Sequence, residues 1–191
     1  MIEQKFEEVG RHVLDDNGAK VVFDIFCNKL KPKLNIKAIS RSYSVYRALG
    51  ANQFDSIIDG TFPSKAFEHA TPEKCGDWSI SLFCKEFTSI EEVKRIKPRC
   101  AIGEFKVEAV LSAYLSVTKL VNEFPSEEPL EIIHDPDYDV VCFGHSSLRI
   151  KSKFRPEKSN QIKKLHDDLM VTVSQSMTRW AVSPEVASSA T

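Results

Sequence analysis

The sequence predicts an α+β fold in which a mixed, largely antiparallel sheet lies between an N-terminal helical hairpin and a long C-terminal helix. Apolar residues near both ends of the chain recur every three to four positions, which is the spacing of amphipathic helices. Between them, several short segments alternate apolar and polar residues, as half-buried strands do. The chain has 191 residues, of which 42% are hydrophobic, and this is enough to build one domain with a real core.

Helical spacing supports both terminal elements. We assign residues 1–31 to the hairpin because Asn17 and Gly18 separate two apolar stripes and Pro32 follows the second. We assign residues 159–181 to the C-terminal helix. One continuous stripe runs along it: Ile162, Leu165, Leu169, Val173, Met177 and Trp180. Residues 182–191 have the composition of a disordered tail.

Residues 32–155 form the predicted sheet region of a single domain that spans residues 1–181. Five segments have strand character: LNIKAISRSYSVYRAL, DWSISLF, RCAIGEFKVEAV, LEIIHD and YDVVCFGHSSLRI. Two further segments predict short helices. NQFDSIIDG ends at Gly60, and TSIEEVKRIK opens with Thr88 and Glu91 at the spacing of a capping box.

The global composition excludes several function classes. The formal net charge is -1, so no overall field favours nucleic acid or a membrane surface. The N-terminal sequence lacks the apolar core of a secretory signal, and no apolar run is long enough to span a bilayer. The five cysteines are odd in number and include no C-x-x-C pair, which favours reduced thiols. We therefore expect a cytoplasmic protein without a membrane partner.

One basic stretch gives an alternative, non-enzymatic hypothesis. Residues 149–164 contain seven bases and one acid. In this hypothesis Lys151, Lys153 and Arg155 bind the phosphates of nucleic acid, or the stretch 149–164 binds another protein. A solvated face with compensating charges nearby explains the same run, and both interpretations stay open.

Most standard site motifs are absent from the sequence. There is no glycine-rich phosphate loop. Asp135, Asp137 and Asp139 imitate the first ligands of a calcium loop, but the required glycine and glutamate positions hold other residues. Cys142 and His145 have a spacing common in zinc sites, without a second pair to complete it. We therefore predict no metal site.

Polar side chains on the predicted strands form the leading candidate site. An arginine offers a planar fork to a phosphate or carboxylate, and serines on one strand face can bind sugar or phosphate oxygens. A histidine in the same group can transfer protons near neutral pH. The members of this group are Arg47, Ser64, Ser79, Ser81, Glu104, His134 and His145. The alternative is that these serines form the solvent face of an ordinary strand.

The order of five short motifs is similar to that in an uncharacterised group of small bacterial proteins. The motifs are YRAL, PSKAF, WSISLF, LEIIHDP and FGHSSL. The resemblance implies no known activity. It does nominate the residues at which a site should be sought, namely Arg47, Ser64, Phe67, Ser79, Ser81 and His145.

The segment VYRALGANQFDSIIDGTF resembles the opening of ADP-ribosyltransferase-like toxin domains. Arg47, then Ser79 and Ser81, then Glu104 keep the order of that family's arginine, S-x-S strand and glutamate. The resemblance implies NAD as cofactor, with Arg47 on its pyrophosphate, Ser79 at the nicotinamide pocket and Glu104 stabilising an oxocarbenium-like state. Lys106 stands where the family motif has a second acid.

These features together predict a toxin-like or defence-associated bacterial protein with a polar pocket for a nucleotide-type ligand. An NAD-using transferase is one form of this prediction, with Glu104 and His145 as catalytic residues. The competing hypotheses are the nucleic-acid- or protein-binding module described above and a structural partner that docks through its C-terminal helix.

Overall fold

The computed structural model describes residues 38–67, 79–117, 128–135, 142, 144–151 and 159–189, and for residues 159–166 it describes the backbone alone. The predicted helical hairpin over residues 1–31 lies outside these ranges.

A single sheet of six strands organises the described residues, and it confirms the α+β class. The strands are β1 Ser44–Gly50, β2 Ser79–Cys84, β3 Cys100–Lys106, β4 Leu130–His134, β5 His145–Ile150 and β6 Met177–Val182. Their order across the sheet is β4-β5-β2-β1-β3-β6, and neighbouring strands are antiparallel throughout. A bridge from Ala38 to Ile133 lies against the outer side of β4.

Helices lie between the strands and after the last of them. The α-helices are α1 Ile90–Ile96, α2 Val107–Ser112, α3 Ser159–Gln175 and α4 Pro184–Ser189, and the 3-10 helices are Ala51–Ser56, Ser64–Phe67 and Ala113–Ser116. Helix α1 begins one residue later than the Thr88 cap predicts, because Ser89 Oγ accepts a hydrogen bond from the Glu92 backbone N–H at 3.2 Å. The C-terminal region also differs from the prediction. Helix α3 ends at Gln175, residues 177–182 form strand β6, and the expected tail contains α4.

Pairing with β3 explains why the helix stops before Met177. Met177 lies opposite Phe105, and Trp180 lies opposite Gly103. The Trp180 ring packs against Phe62, with ring centroids 5.2 Å apart, and its indole N–H donates to the Gly60 carbonyl at 2.8 Å. These contacts between distant parts of the chain favour the strand, although the apolar stripe of the helix continues through both residues.

Strand register divides the side chains of the sheet between two faces. Residues directly opposite each other on paired strands share a face. Ser79 lies opposite Arg149, and Ser81 lies opposite Ser147. His145 follows two pairs further along the ladder, opposite Phe83. We call the face that carries Ser79, Ser81, His145, Ser147 and Arg149 the serine face.

The register extends the serine face across β1 and β3. Phe83 lies opposite both His145 and Tyr46, and Tyr46 lies opposite Glu104. Arg47 and its neighbour across the ladder, Gly103, therefore belong to the opposite face.

Aromatic rings cover the opposite face. Phe62 packs against Phe67 and Phe105, with centroid distances of 5.5 and 5.2 Å. Gly103 makes this possible, because a Cβ there would lie 2.6 Å from the Phe62 ring. Helix α3 contributes Leu169 to the same buried core.

Within the described ranges, the helices are either too short or too polar to cross a bilayer.

Candidate functional site

Neighbouring strands β2 and β5 supply the polar side chains of the serine face. The segment H-S-S-L-R in β5 alternates, so His145, Ser147 and Arg149 point to the same side. The opposed serines of β2 extend this polar surface across the ladder. Ser147 is buried, while Ser79 and Ser81 are partly exposed.

Asp135, directly after β4, organises the β5 side chains. Its carboxylate oxygen Oδ2 accepts a hydrogen bond from Ser147 Oγ at 2.9 Å and from Arg149 Nη2 at 3.1 Å. Its backbone N–H donates to the His145 carbonyl at 3.1 Å. One carboxylate thus fixes a hydroxyl and a guanidinium side by side.

His145 is held in one tautomer by the same residue. Its Nδ1 lies 2.5 Å from the carbonyl oxygen of Asp135. Because a carbonyl only accepts hydrogen bonds, Nδ1 is the protonated nitrogen, and in the neutral ring Nε2 carries the lone pair. The ring also packs edge-on against Phe83, with centroids 6.0 Å apart. The arrangement therefore presents Nε2 as a potential proton acceptor.

Ser79 and Ser81 differ from Ser147 because they are partly exposed. Neither hydroxyl has a hydrogen-bond partner within the part of the chain that the structure describes. Both lie on the ladder next to side chains already fixed by Asp135. Two partly exposed serines beside a guanidinium are suited to bind phosphate or sugar oxygens.

Glu104 is a buried carboxylate that accepts hydrogen bonds from two positively charged side chains. It is 4% exposed, and its oxygens accept hydrogen bonds from Lys85 Nζ at 2.7 Å and Arg179 Nε at 3.0 Å. Burial alone would raise its pKa, but these hydrogen bonds and the two positive charges outweigh it, and the pKa is lowered. Glu104 is therefore ionised and fully engaged by neighbours.

Arg47 joins β1 to two other segments. Its Nε donates to the Ala66 carbonyl at 2.8 Å, its Nη2 donates to the same oxygen, and its Nη1 donates to the Ser81 carbonyl at 2.6 Å. Its guanidinium carbon lies 5.8 Å from the centre of the Phe67 ring. The β1–β2 ladder ends at Tyr46, so Arg47 satisfies a strand carbonyl that the ladder leaves unpaired.

The structure brings the sequence-predicted residues together in two groups. Ser79, Ser81 and His145 share the serine face with Glu104 further along the sheet. Arg47 and Phe67 contact each other on the opposite face. Ser64 begins the 3-10 helix that ends at Phe67. His134 lies opposite Ser146 in the register, and its ring packs on Phe87. Ligand binding by any of them stays a prediction.

Sequence reasoning missed three residues of this site: Asp135, Ser147 and Arg149. The period-2 pattern from His145 to Arg149 could have placed the last two on one face. Asp135 carried no such signal, because its contacts depend on how β4 and β5 pair.

The residues of the competing hypotheses are placed as follows. Lys153 and Arg155 lie outside the described residues, and Lys151 is half-buried beside Pro129, to whose carbonyl its backbone N–H donates at 2.8 Å. Leu169 and Val173, the apolar residues expected to dock a partner, are buried in the protein's own core.

Among the described residues, no group of three or more His, Cys, Asp or Glu side chains could hold a metal ion. Comparison with protein-family models, curated proteins and solved structures gives no significant match to this chain.

Proposed function

We propose that the protein binds a small nucleotide-type ligand on its serine face, through the phosphate or sugar oxygens of that ligand. The observation that carries the proposal is the pair of partly exposed hydroxyls of Ser79 and Ser81, which lack partners within the described ranges. They face Arg149 and Ser147 across the β2–β5 ladder. Such convergent polar groups are typical of ligand sites.

Asp135 supports this proposal because it fixes the neighbouring side chains before a ligand arrives. It holds Ser147 and Arg149 by hydrogen bonds and sets the tautomer of His145. Groups that are held in advance lose less conformational entropy when the ligand binds. For an enzyme built on this face, His145 Nε2 is the group that would accept a proton from the ligand.

An NAD-using transferase of the toxin-like or defence-associated type is a narrower form of the same proposal. The residues that an NAD-using transferase would need are less well placed for that role. Arg47 lies on the opposite face and bonds two carbonyl groups, and Glu104 is held by Lys85 and Arg179. We therefore base the proposed function on binding. The buried thiols of Cys84, Cys100 and Cys142 fit a reducing compartment, and we place this function in the cytoplasm.

A thermal-shift screen tests the proposal directly. The panel contains AMP, ATP, NAD and ribose 5-phosphate, and a ligand present at about 100 times its Kd should stabilise the wild type by about 2.7 kcal/mol. The Ser79→Ala/Ser81→Ala variant loses two hydroxyls. Each hydrogen bond contributes about 0.5–1.5 kcal/mol, so the Kd should rise roughly two- to tenfold per hydroxyl.

Ser116→Ala is the matched control, because Ser116 is exposed on a 3-10 helix and does not belong to the serine face as its residues were defined. It should bind as the wild type does. Binding that is unchanged in the double serine variant, measured by calorimetry on folded protein, would show that the serine face is not the ligand site. Growth of bacteria that express the wild type or the double variant tests the toxin-like form separately.

A further inference from the structure

Two positively charged side chains reach the carboxylate of Glu104, one from each side of β3. Lys85, which directly follows β2, donates from Nζ to Oε1 at 2.7 Å. Arg179 of β6 donates from Nε to Oε2 at 3.0 Å, and its Nη2 lies 2.9 Å from the same oxygen. Because both cations contact one carboxylate group, the ammonium and the guanidinium lie next to each other.

The positive charge at this place exceeds what the buried carboxylate requires. Lys85 alone neutralises Glu104, so Arg179 leaves an excess positive charge. Lys106, two residues after Glu104 on β3, belongs to the same sheet face and is exposed. Glu86 adds a second carboxylate, which accepts a hydrogen bond from the first backbone N–H of β1 at 3.2 Å. Three cations therefore stand against two carboxylates, and the local potential favours an anion.

Both cations keep hydrogen-bond donors that no described residue uses. Arg179 directs at most two of the five N–H groups of its guanidinium to Glu104, and Lys85 directs one of the three of its ammonium. Arg179 is 64% exposed and Lys85 is 38% exposed, so a ligand in solution can reach the remaining donors.

Tyr46 adds a hydroxyl beside these cations. It lies opposite Glu104 on β1, and the Lys85 side chain must cross β1 to reach Glu104, because β1 separates β2 from β3. Tyr46 is only 5% exposed, yet its hydroxyl has no hydrogen-bond partner within the described part of the chain. Burial raises the pKa of Tyr46, so the hydroxyl is protonated at neutral pH and can donate a hydrogen bond. A phenol in this position is suited to a ligand oxygen.

We propose that Lys85, Arg179 and Tyr46 bind one phosphate group, either free phosphate or the phosphate of a phosphomonoester. A phosphate carries several oxygens on one centre, so it can accept hydrogen bonds from an ammonium, a guanidinium and a hydroxyl together. Glu104 holds both cations in place before the ligand arrives, which lowers the entropy lost on binding. The proposal does not rest on the proposed function, because it uses neither the serines of β2 nor the side chains of β5.

Titration with inorganic phosphate tests this site, with sodium chloride at matched ionic strength as the reference. Phosphate should raise the melting temperature of the wild type more than chloride does, in a saturable way. Arg179→Gln should weaken phosphate binding about tenfold, as expected for the loss of one hydrogen bond to a charged group. The variant should stay folded, because Lys85 still neutralises Glu104. Methyl phosphate in place of phosphate distinguishes a phosphomonoester site from one that takes the free ion.

Tyr46→Phe is a second variant that keeps the buried ring and removes only the hydroxyl. The Kd for phosphate, measured by calorimetry on folded protein, should rise roughly two- to tenfold. Tyr114→Phe removes the same atom from the 3-10 helix Ala113–Ser116 and should leave the Kd unchanged. Equal effects of the two tyrosine variants would exclude Tyr46 from the site.

Arg95→Gln is the matched control for Arg179→Gln, because it makes the same charge change and also breaks an ion pair, that with Glu92 on α1. It should retain the phosphate response. Ser79→Ala/Ser81→Ala should retain it too, and a loss there would assign the phosphate to the serines and overturn this site. Equal responses to phosphate and chloride in the wild type would overturn the proposal, and so would equal losses in Arg179→Gln and Arg95→Gln.

Discussion

Replacing Gly103 with alanine tests the packing of the face opposite the serine face. An alanine Cβ at this position would lie 2.6 and 2.7 Å from two ring carbons of Phe62, where real Cβ contacts essentially never fall under 3.0 Å. The Phe62 ring is 3% exposed and is enclosed by Phe67, Phe105 and Trp180. It can therefore move only by displacing other rings.

The size of the effect follows from this geometry. Inserting a methyl group into a well-packed core costs typically about 1–3 kcal/mol, and the enclosed ring places Gly103→Ala near the upper half of that range, at about 2–3 kcal/mol. For a chain of this size, 1 kcal/mol corresponds to roughly 2–4 °C in Tm, so the melting temperature should fall by about 4–12 °C.

A double-mutant cycle with Phe62→Leu is the assay that assigns this loss to the contact. Phe62→Leu alone should destabilise the protein, because it removes buried ring contacts. In the double variant the smaller side chain gives the new methyl group room, so the combined loss should be at least about 1 kcal/mol less than the sum of the single losses. Additive losses would refute the reasoning. Gly50→Ala, whose Cβ would approach only the flexible Asn52 side chain at 2.9 Å, should cost much less.

Two further predictions concern charge and backbone strain. The lowered pKa of Glu104 means that its contribution to stability is present above the unfolded pKa of about 4.3 and is lost as pH falls through the lower folded pKa. Glu104→Gln should therefore lower Tm at about pH 7 and lower it less at about pH 3. A difference in Tm that does not change with pH would contradict a stabilising role for the contacts of Glu104 with Lys85 and Arg179. Arg99 has φ 56°, in the left-handed region, so Arg99→Gly should stabilise the protein by about 0.5–1 kcal/mol. Denaturant unfolding checks this, with Arg95→Gly in α1 expected to destabilise by a similar amount, and a loss of stability in Arg99→Gly would contradict the strain argument.

Local sequence patterns predicted the strands well where one face of a strand is apolar. Ser79–Cys84 and His145–Ile150 both alternate, and both are strands. The same reasoning was wrong for the segment from Met177 to Val182, which is a strand and not the end of a helix. Met177 and Trp180 continue the helical stripe of α3, and their partners Phe105 and Gly103 lie more than 70 residues earlier in the chain. A pairing at that distance leaves no periodic signal in the local sequence.

The candidate site was predictable only within single strands. Alternation along β2 places Ser79 and Ser81 on one side, and this follows from the sequence alone. Whether Arg47 shares that side depends on the register of β1 against its neighbours, and the ladder places it on the other. The role of Asp135 likewise depends on the approach of β4 to β5. Order along the chain carries neither kind of information.

The contacts of Arg47 determine how its variants must be interpreted. Its Nη1 binds the backbone carbonyl of Ser81, whose side chain belongs to the serine face. The β1–β2 ladder comprises only the pairs Val45–Cys84 and Tyr46–Phe83, so the guanidinium links the two strands beyond it. Removal of Arg47 would therefore displace Ser81 as well as remove a positive charge. Loss of function in Arg47→Ala alone would not identify Arg47 as a ligand-binding residue. Ser81→Ala removes the hydroxyl and keeps this link intact, so it separates ligand binding on the serine face from the structural role of Arg47.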